Sequence, residues 1–290
     1  MARLDPDWLN LQYNNRARIP EHPQIFERWA TASALVRERT TCRLDIAYGS
    51  GPNETLDVFH AVGGAGPAPV LVFIHGGWWR SLDKRDHSFV AASLVASGAT
   101  VVVPNYALCP AVTIEAIAMQ MVQALAWTFR NVARHGGDPT RIVVAGHSAG
   151  GHLAAMLLCC DWAAVGADLP WKLVSGALSI SGVFDLEPLR QTPFLKADLR
   201  LTAASAARLS PVHFPAPAGT LFATVGANES EEFLRQNRLL RRAWGKATVP
   251  VCETIAGTHH LDVLHELANP RGRLHQLATQ LLGLPSAEGP

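Results

Sequence analysis

RIVVAGHSAGGHLAAMLL, residues 141–158, carries the strongest structural signal in the sequence. It begins with an apolar β-branched run, passes through the turn Gly146–Gly151 and continues as an apolar segment that favours a helix. A strand, a tight glycine turn and a helix are the context of a G-x-S-x-G nucleophile elbow. Glycines 146 and 150 let the strand and helix approach closely while Ser148 takes a strained backbone conformation. The pattern predicts a nucleophilic serine at the C-terminal edge of a sheet.

Composition indicates a protein without a strongly charged partner. The 290 residues are 48% hydrophobic, and 25 basic against 24 acidic side chains give a net charge of +1. Such a balance gives no excess of positive charge to attract nucleic acid or an anionic membrane. We expect a small-molecule substrate, no nucleic acid and no membrane partner, and we leave a monomer and a homodimer both open.

Cysteine usage and the N-terminus predict the compartment. The five cysteines lie mostly in apolar runs without a C-x-x-C pair, which predicts buried free thiols in a reducing environment. The first ten residues lack the basic region and apolar stretch of a secretory signal. No apolar run approaches the ~18 residues of a membrane span. These features predict a cytoplasmic protein.

Strand-like and helix-like segments alternate along the chain. They predict one α/β domain over residues 1–290, in which residues 1–40 form an N-terminal arm whose helix caps the site or simply packs. The expected architecture is the α/β-hydrolase fold, a mostly parallel central sheet with helices on both faces and a hairpin at one edge. The predicted strands are Arg43–Tyr48, Thr55–Ala61, Val70–Ile74, Thr100–Val103, Ile142–Ala145, Leu173–Ser181, Pro217–Val225 and Val249–Ile255. The predicted helices are Ile25–Arg39, Arg85–Ser97, Thr113–His135, His152–Leu158, Glu231–Trp244, Leu261–Leu267 and Leu274–Leu282, with short helices in Arg190–Phe214.

Right-handed crossovers bring the loops that follow parallel strands to one edge of the sheet. A serine nucleophile at that edge needs a base and a carboxylate that orients the base. In the chain order of α/β hydrolases the histidine comes last, so His259 or His260 is the predicted base. Asp185 and Glu229 follow suitable strands and are the two alternatives for the acid. No metal-ligand spacing and no phosphate-binding loop is present, so we expect neither a metal nor a cofactor.

The oxyanion of an acyl-transfer reaction needs backbone donors beside the serine. We predict that the N–H of Ala149 and an N–H from the loop at Gly76 and Gly77 supply them. Glycine in this loop lets the backbone approach the substrate. His147 and His152, within and just after the elbow, are interpreted as packing and hydrogen-bonding residues.

Several segments resemble one family from about residue 40 to the C-terminus. They are LDIAYGSGPNETLDVF at 44–59, HGGWW at 75–79, GHSAGGHLAAMLL at 146–158, SGVFDLEPL at 181–189, GANESEEFLRQ at 226–236 and GTHHLDVLHEL at 257–267. Together they resemble the kynurenine formamidase (arylformamidase) family of α/β hydrolases. The resemblance places that family's HGG-x-W motif on 75–79, its nucleophile on Ser148 and its histidine on His260. The family's acid is normally an aspartate, and Glu229 stands at that position.

The resemblance implies hydrolysis of N-formyl-L-kynurenine to L-kynurenine and formate through an acyl-serine intermediate. Trp78, Trp79, Tyr106 and Phe184 lie on loops near the predicted site, where they could stack on an aniline ring. Packing in the core is an equal alternative for each.

Two other functions stay open. Esterases of the hormone-sensitive lipase group share the HGG loop and the elbow, so a carboxylesterase for short acyl or aryl esters is the first alternative. A small-molecule-binding protein on a hydrolase scaffold that has lost catalysis is the second.

Overall fold

A single eight-stranded sheet forms the centre of the computed structural model, which describes residues 5–64 and 66–285. The strands are β1 (Cys42–Ala47), β2 (Thr55–Phe59), β3 (Ala68–Ile74), β4 (Thr100–Pro104), β5 (Gly137–His147), β6 (Val174–Ile180), β7 (Thr220–Gly226) and β8 (Val251–Ile255). Their order across the sheet is β1-β2-β4-β3-β5-β6-β7-β8. Strands β3 to β8 are parallel to one another, whereas β1 and β2 form an antiparallel hairpin at the edge. This arrangement confirms the predicted α/β-hydrolase fold.

Helices connect the strands and cover the sheet. They are α1 (Pro6–Tyr13), α2 (Asn15–Arg18), α3 (His22–Arg39), α4 (Ala91–Ala96), α5 (Ile114–Asn131), α6 (Ala149–Leu158), α7 (Trp162–Val165), α8 (Glu187–Gln191), α9 (Pro193–Leu199), α10 (Ala203–Arg208), α11 (Glu231–Thr248), α12 (His265–Ala268) and α13 (Arg273–Leu282). No helix within the described ranges is both long and apolar enough to cross a membrane.

Two apolar clusters, one on each face of the sheet, explain the unbroken hydrophobic runs of the central strands. Along β3, Val70 and Val72 belong to the first cluster, whereas Leu71 and Phe73 belong to the second. Successive side chains of a strand point to opposite faces, so a strand covered on both sides must be apolar throughout. Helices α5, α6 and α11 pack on the first face, and α3, α4 and α13 pack on the second.

The N-terminal segment crosses from one face of the sheet to the other. Leu9 and Tyr13 of α1 pack in the first cluster, and Ile25 and Trp29 of α3 pack in the second. The Tyr13 hydroxyl donates to Glu232 Oε2 at 2.8 Å, which ties α1 to α11. Helix α1 was not predicted, although its sequence signal is present. Asp5 accepts from the Trp8 N–H at 2.9 Å, and a proline occupies the first turn.

Some boundaries differ from the prediction for local reasons. The helix predicted over Arg85–Ser97 is two short 3₁₀ turns, Lys84–Asp86 and Ser88–Val90, followed by α4. Asp83 and Asp86 form a capping box at the start of the first turn, and the non-helical backbone of His87 (φ −120°, ψ 4°) ends that turn. All five cysteines are free thiols, as expected, but only Cys109 is buried and the other four are half-buried.

Candidate active site

Ser148 lies at the sharp turn between β5 and α6, with φ 56° and ψ −116°. This is a strained conformation for a residue with a side chain, and such strain clusters at functional sites. A Cβ on Gly146 would lie 2.1 Å from the Gly150 carbonyl oxygen, and a Cβ on Gly150 would lie 2.0 Å from the Ile74 carbonyl oxygen. Both positions therefore require glycine, and the elbow presses directly against the end of β3.

Three side chains from separate loops form a hydrogen-bonded chain. The Ser148 hydroxyl lies 3.0 Å from His260 Nε2, and His260 Nδ1 lies 2.6 Å from Glu229 Oε2. The three residues are 2%, 4% and 8% exposed. With the proton on Nδ1 donated to Glu229, Nε2 is free to accept the serine proton. The arrangement can therefore activate Ser148 as a nucleophile.

The carboxylate of Glu229 is held by both of its oxygens. Oε1 accepts from the Gly226 N–H at 2.8 Å and from the Ser181 hydroxyl, while Oε2 faces His260. These bonds fix the longer glutamate side chain at the position where the resemblance implies an aspartate.

Asp185, the other predicted alternative for the acid, does not reach the histidine. Its Oδ2 accepts from Arg235 at 3.3 Å, and its backbone N–H donates to Gln236. The structure places this carboxylate in an ion pair with α11, so the geometry favours Glu229 as the partner of His260.

The two adjacent histidines differ in direction. His260 points to Ser148, and its ring lies 4.4 Å from the Phe233 ring. His259 points away and accepts from the Asp262 N–H at 3.3 Å, so it stabilises its own turn.

His147 donates from Nε2 to the His260 carbonyl at 2.7 Å. Burial, together with the nearby His260, lowers the pKa of His147 well below its usual value, so His147 is a neutral donor.

His152 has the structural role predicted for it. Its Nε2 lies 2.7 Å from the Leu209 carbonyl oxygen, which fixes α6 to the loop after α10. The ring is fully buried and meets Trp79 edge-on. Burial lowers its pKa to about 4, so His152 is uncharged at neutral pH.

The predicted oxyanion residues surround the serine. Ala149 is the first residue of α6, where a backbone N–H has no carbonyl partner within the helix. Gly76 lies against the elbow, because a Cβ there would meet Ser148 Cβ at 3.1 Å and the His147 carbonyl at 2.9 Å. Gly77 has φ 105°, a conformation that favours glycine. These positions can present backbone donors to an oxyanion beside Ser148.

Tyr106 and His75 hold the loop that contains Gly76 and Gly77, which is named the oxyanion loop. The Tyr106 hydroxyl donates to the His75 carbonyl at 2.9 Å, and the two rings stack 4.2 Å apart. Tyr106 is thus a buried support of the loop and does not line the substrate pocket, which corrects the prediction of a substrate-binding role.

A pocket opens over Ser148 and His260, and most of its wall comes from segments that the sequence did not mark as binding residues. The pocket encloses about 540 Å³ with its open mouth included. Its aromatic wall contains one of the four predicted residues, Trp78, together with Phe26, Trp29 and Phe194. The helical spacing of Phe26 and Trp29 predicted a helix, but spacing alone does not show that the helix covers a site.

Trp79 and Phe184 also lie outside the pocket, and the prediction for them is corrected in the same way. Both side chains are fully buried in the first apolar cluster. Trp78 and Trp79 both have φ 54°, and this tight turn sends Trp78 to the pocket and Trp79 into the core. Phe184 is directed inward because its backbone N–H donates to the buried Gln236 at 2.8 Å.

No group of three or more His, Cys, Asp or Glu side chains in the described part of the chain is placed to hold a metal ion. The pocket is lined by hydroxyl, imidazole, aromatic and guanidinium groups. These groups are suited to acyl transfer by Ser148 on a substrate with an aromatic part.

Comparison with known proteins gives the same class of enzyme. The BD-FAE family profile matches residues 56–163. A kynurenine formamidase of Danio rerio is 29% identical over 293 aligned residues that cover 97% of each chain. A thioesterase candidate from Silicibacter sp. TM1040 has a crystal structure that superposes with a TM-score of 0.80, at 31% identity over 92% of this chain and 97% of that one. Esterase LipC of Mycobacterium tuberculosis is 34% identical over 66% of this chain and 46% of its own length.

The fold and the similarities define an α/β hydrolase, an enzyme of arylformamidase or carboxylesterase type. Within that class the chain is similar to kynurenine formamidases of Danio rerio, Salmo salar and Drosophila melanogaster, with 28–29% identity over 77–97% of this chain. The similarity to the zebrafish protein covers nearly the whole chain, so it extends beyond the motifs that begin near residue 40.

Proposed function

We propose that the protein hydrolyses an aryl formamide, N-formyl-L-kynurenine, to L-kynurenine and formate. The observation that carries the proposal is the aromatic wall of Trp78, Phe26, Trp29 and Phe194 around Ser148, which suits an aryl leaving group. The similarity to kynurenine formamidases, which spans 97% of this chain for the protein of Danio rerio and 77% for that of Drosophila melanogaster, supports the same substrate.

In the acylation step, the Ser148 oxygen attacks the formyl carbon while His260 Nε2 takes the hydroxyl proton. The tetrahedral oxyanion accepts hydrogen bonds from the N–H groups of Ala149 and the Gly76–Gly77 loop. A donor of this kind contributes ~10²–10³ to turnover. Glu229 holds the imidazole in the required tautomer and stabilises the imidazolium. Cleavage of the C–N bond expels the aryl amine, which takes the proton from His260.

In the deacylation step, water attacks the formyl ester on Ser148, and His260 removes a proton from that water. The second tetrahedral intermediate uses the same oxyanion donors. It collapses to formic acid, which ionises to formate in water, and His260 returns its proton to the Ser148 oxygen. The aryl amine has left by then, so water can enter by the mouth of the pocket.

The proposal is tested by comparing kcat/KM for N-formyl-L-kynurenine and p-nitrophenyl butyrate. We expect the higher value for the formamide, because the aromatic pocket accepts the aniline ring and the formyl group needs little space. Turnover of the ester with no detectable formamidase activity would contradict the proposal.

A carboxylesterase for short acyl or aryl esters is the second candidate, and the similarity to esterase LipC favours it. A series of acyl lengths on one aryl leaving group separates the two. A formamidase should lose rate steeply beyond the smallest acyl groups, whereas an esterase should tolerate several carbons.

The binding-protein alternative predicts an unreactive serine. The bonded chain of Ser148, His260 and Glu229 supports a reactive one. A fluorophosphonate probe should label Ser148 in the wild-type protein and leave Ser148→Ala unlabelled, and failure to label the wild type would favour the binding protein.

We also propose that the protein works in the cytoplasm as one hydrolase domain whose N-terminal segment caps the site. The free thiols of all five cysteines support a reducing compartment. The presence of Phe26 and Trp29 in the pocket wall supports the capping role.

A further inference from the structure

The wall of the pocket formed by the N-terminal segment carries a guanidinium group without a carboxylate partner. Two arginines, Arg16 and Arg80, line the pocket, and no aspartate or glutamate is among its described lining residues. Arg80 is already neutralised by an ion pair with Asp198, and it donates to the Phe194 carbonyl at 3.0 Å. Arg16 has no ion pair with any residue in the ranges that the structure describes. One positive charge in the pocket is therefore available to a ligand.

Arg16 is nevertheless held in position. Its Nη2 donates to Ser81 Oγ at 3.0 Å, and its guanidinium carbon lies 5.6 Å from the centre of the Phe26 ring. The Ser81 hydroxyl donates in turn to the Gly77 carbonyl at 3.0 Å. The guanidinium is thus two hydrogen bonds away from the oxyanion loop, and most of its five N–H donors remain for a ligand.

The charge of Arg16 is also poorly compensated. Burial lowers its pKa below the usual value, and the nearby Arg80 lowers it further. An anion bound in the pocket beside Arg16 would offset the repulsion from Arg80 and stabilise the charged guanidinium. The arrangement is consistent with a site whose ligand supplies the missing negative charge.

Asn15, the residue before Arg16, supplies a second observation. It lines the same pocket and is 6% exposed, and its Nδ2 has no acceptor among the described residues. Buried polar groups are nearly always hydrogen-bonded, so an unpaired amide donor beside an unpaired guanidinium calls for an acceptor from a ligand.

We propose that Arg16 and Asn15 bind a carboxylate on the leaving group of the substrate. The planar guanidinium fork matches the two oxygens of a carboxylate, and the amide adds a donor. The inference deepens the proposed function and rests on it for the reaction, while the pocket geometry stands independently. The N-terminal segment would then select aryl formamides and aryl esters whose leaving group carries a carboxylate.

The test compares N-formyl-L-kynurenine with its carboxamide, which differ only at the carboxylate. Arg16→Ala should lower kcat/KM for the carboxylate substrate roughly 10- to 100-fold, the range for a hydrogen bond to a charged group, and change the carboxamide little. Asn15→Ala should lower kcat/KM for the carboxylate substrate by a smaller factor and also leave the carboxamide little changed. Arg28→Ala is the matched control, because Arg28 is an exposed arginine of α3 outside this pocket, and it should change neither substrate.

A second pair, 4-acetoxybenzoate and 4-acetoxybenzamide, separates this proposal from the proposed function. An enzyme that hydrolyses these esters but neither formamide would refute formamidase activity, and the ester pair would still decide the role of Arg16. Equal losses on both members of a pair in Arg16→Ala would indicate a structural role and overturn the proposal. The same result follows if Arg28→Ala matches Arg16→Ala, or if the wild type shows no carboxylate preference on either pair.

Discussion

Glu229 shows how a substitution in a family motif is accommodated by its surroundings. Glutamate has one more methylene than aspartate, and hydrogen bonds to both oxygens hold its longer side chain in place. Ser181 and the Gly226 N–H both bind Oε1, which leaves Oε2 aimed at His260 Nδ1. The sequence left Asp185 as an alternative, because each carboxylate follows a parallel strand. In the structure Glu229 binds His260, whereas Asp185 forms an ion pair with Arg235.

We predict that Glu229→Gln lowers turnover by up to about 10⁴, as loss of a triad acid can, with little effect on folding. The amide cannot stabilise an imidazolium, and it favours the wrong tautomer of His260. Asp185→Asn is the matched control, and it should affect only the local loop and its bond to Arg235. Steady-state kinetics and thermal melting of both variants make the measurement. Near-normal turnover in Glu229→Gln together with an inactive Asp185→Asn would reassign the acid.

The elbow between β5 and α6 is the element on which the site depends. We predict that Gly150→Ala abolishes most activity and costs roughly 1–3 kcal/mol, because its Cβ would meet the Ile74 carbonyl oxygen at 2.0 Å and backbone must move. Gly66→Ala is the control, since nothing lies within 4 Å of its added Cβ. Denaturant unfolding and kcat should separate the variants, and an active, stable Gly150→Ala would show that the elbow tolerates a wider approach.

The elements that position the site were largely predictable, because apolar runs and glycine turns are local signals. The elbow, the edge hairpin and the loops that meet at one end of the sheet all followed from them. The aromatic wall of the pocket could not be predicted in this way, because its composition depends on which side of a turn faces the pocket. Trp78 and Trp79 are neighbours with the same φ, and only the three-dimensional turn distinguishes pocket from core. The crossing of the N-terminal segment over the site is likewise a long-range packing feature without a local signature.

Buried neutral histidines should make the stability of the protein depend on pH. Burial lowers the pKa of His152 to about 4 and that of His87 to about 3, whereas an unfolded histidine titrates near 6.5. Below that value the unfolded chain binds protons that the folded protein cannot, so the free energy of unfolding falls as the pH falls toward 4. Between pH 6.5 and pH 5 each such histidine should lower the free energy of unfolding by roughly 1–2 kcal/mol.

Urea denaturation of the wild type and of His152→Gln at both pH values measures this effect. The glutamine amide can still donate to the Leu209 carbonyl but does not titrate, so the variant should lose less stability on acidification. Equal losses in the two proteins would contradict the assignment of His152 as a buried neutral group.

The account as a whole rests on His260 as the base that activates Ser148. The most direct test measures formation of L-kynurenine and formate from N-formyl-L-kynurenine by the wild type, His260→Ala and His259→Ala. We predict equimolar products from the wild type, a mild decrease in His259→Ala and loss of most activity in His260→Ala, because only His260 reaches Ser148, at 3.0 Å. An active His260→Ala beside an inactive His259→Ala would contradict the account.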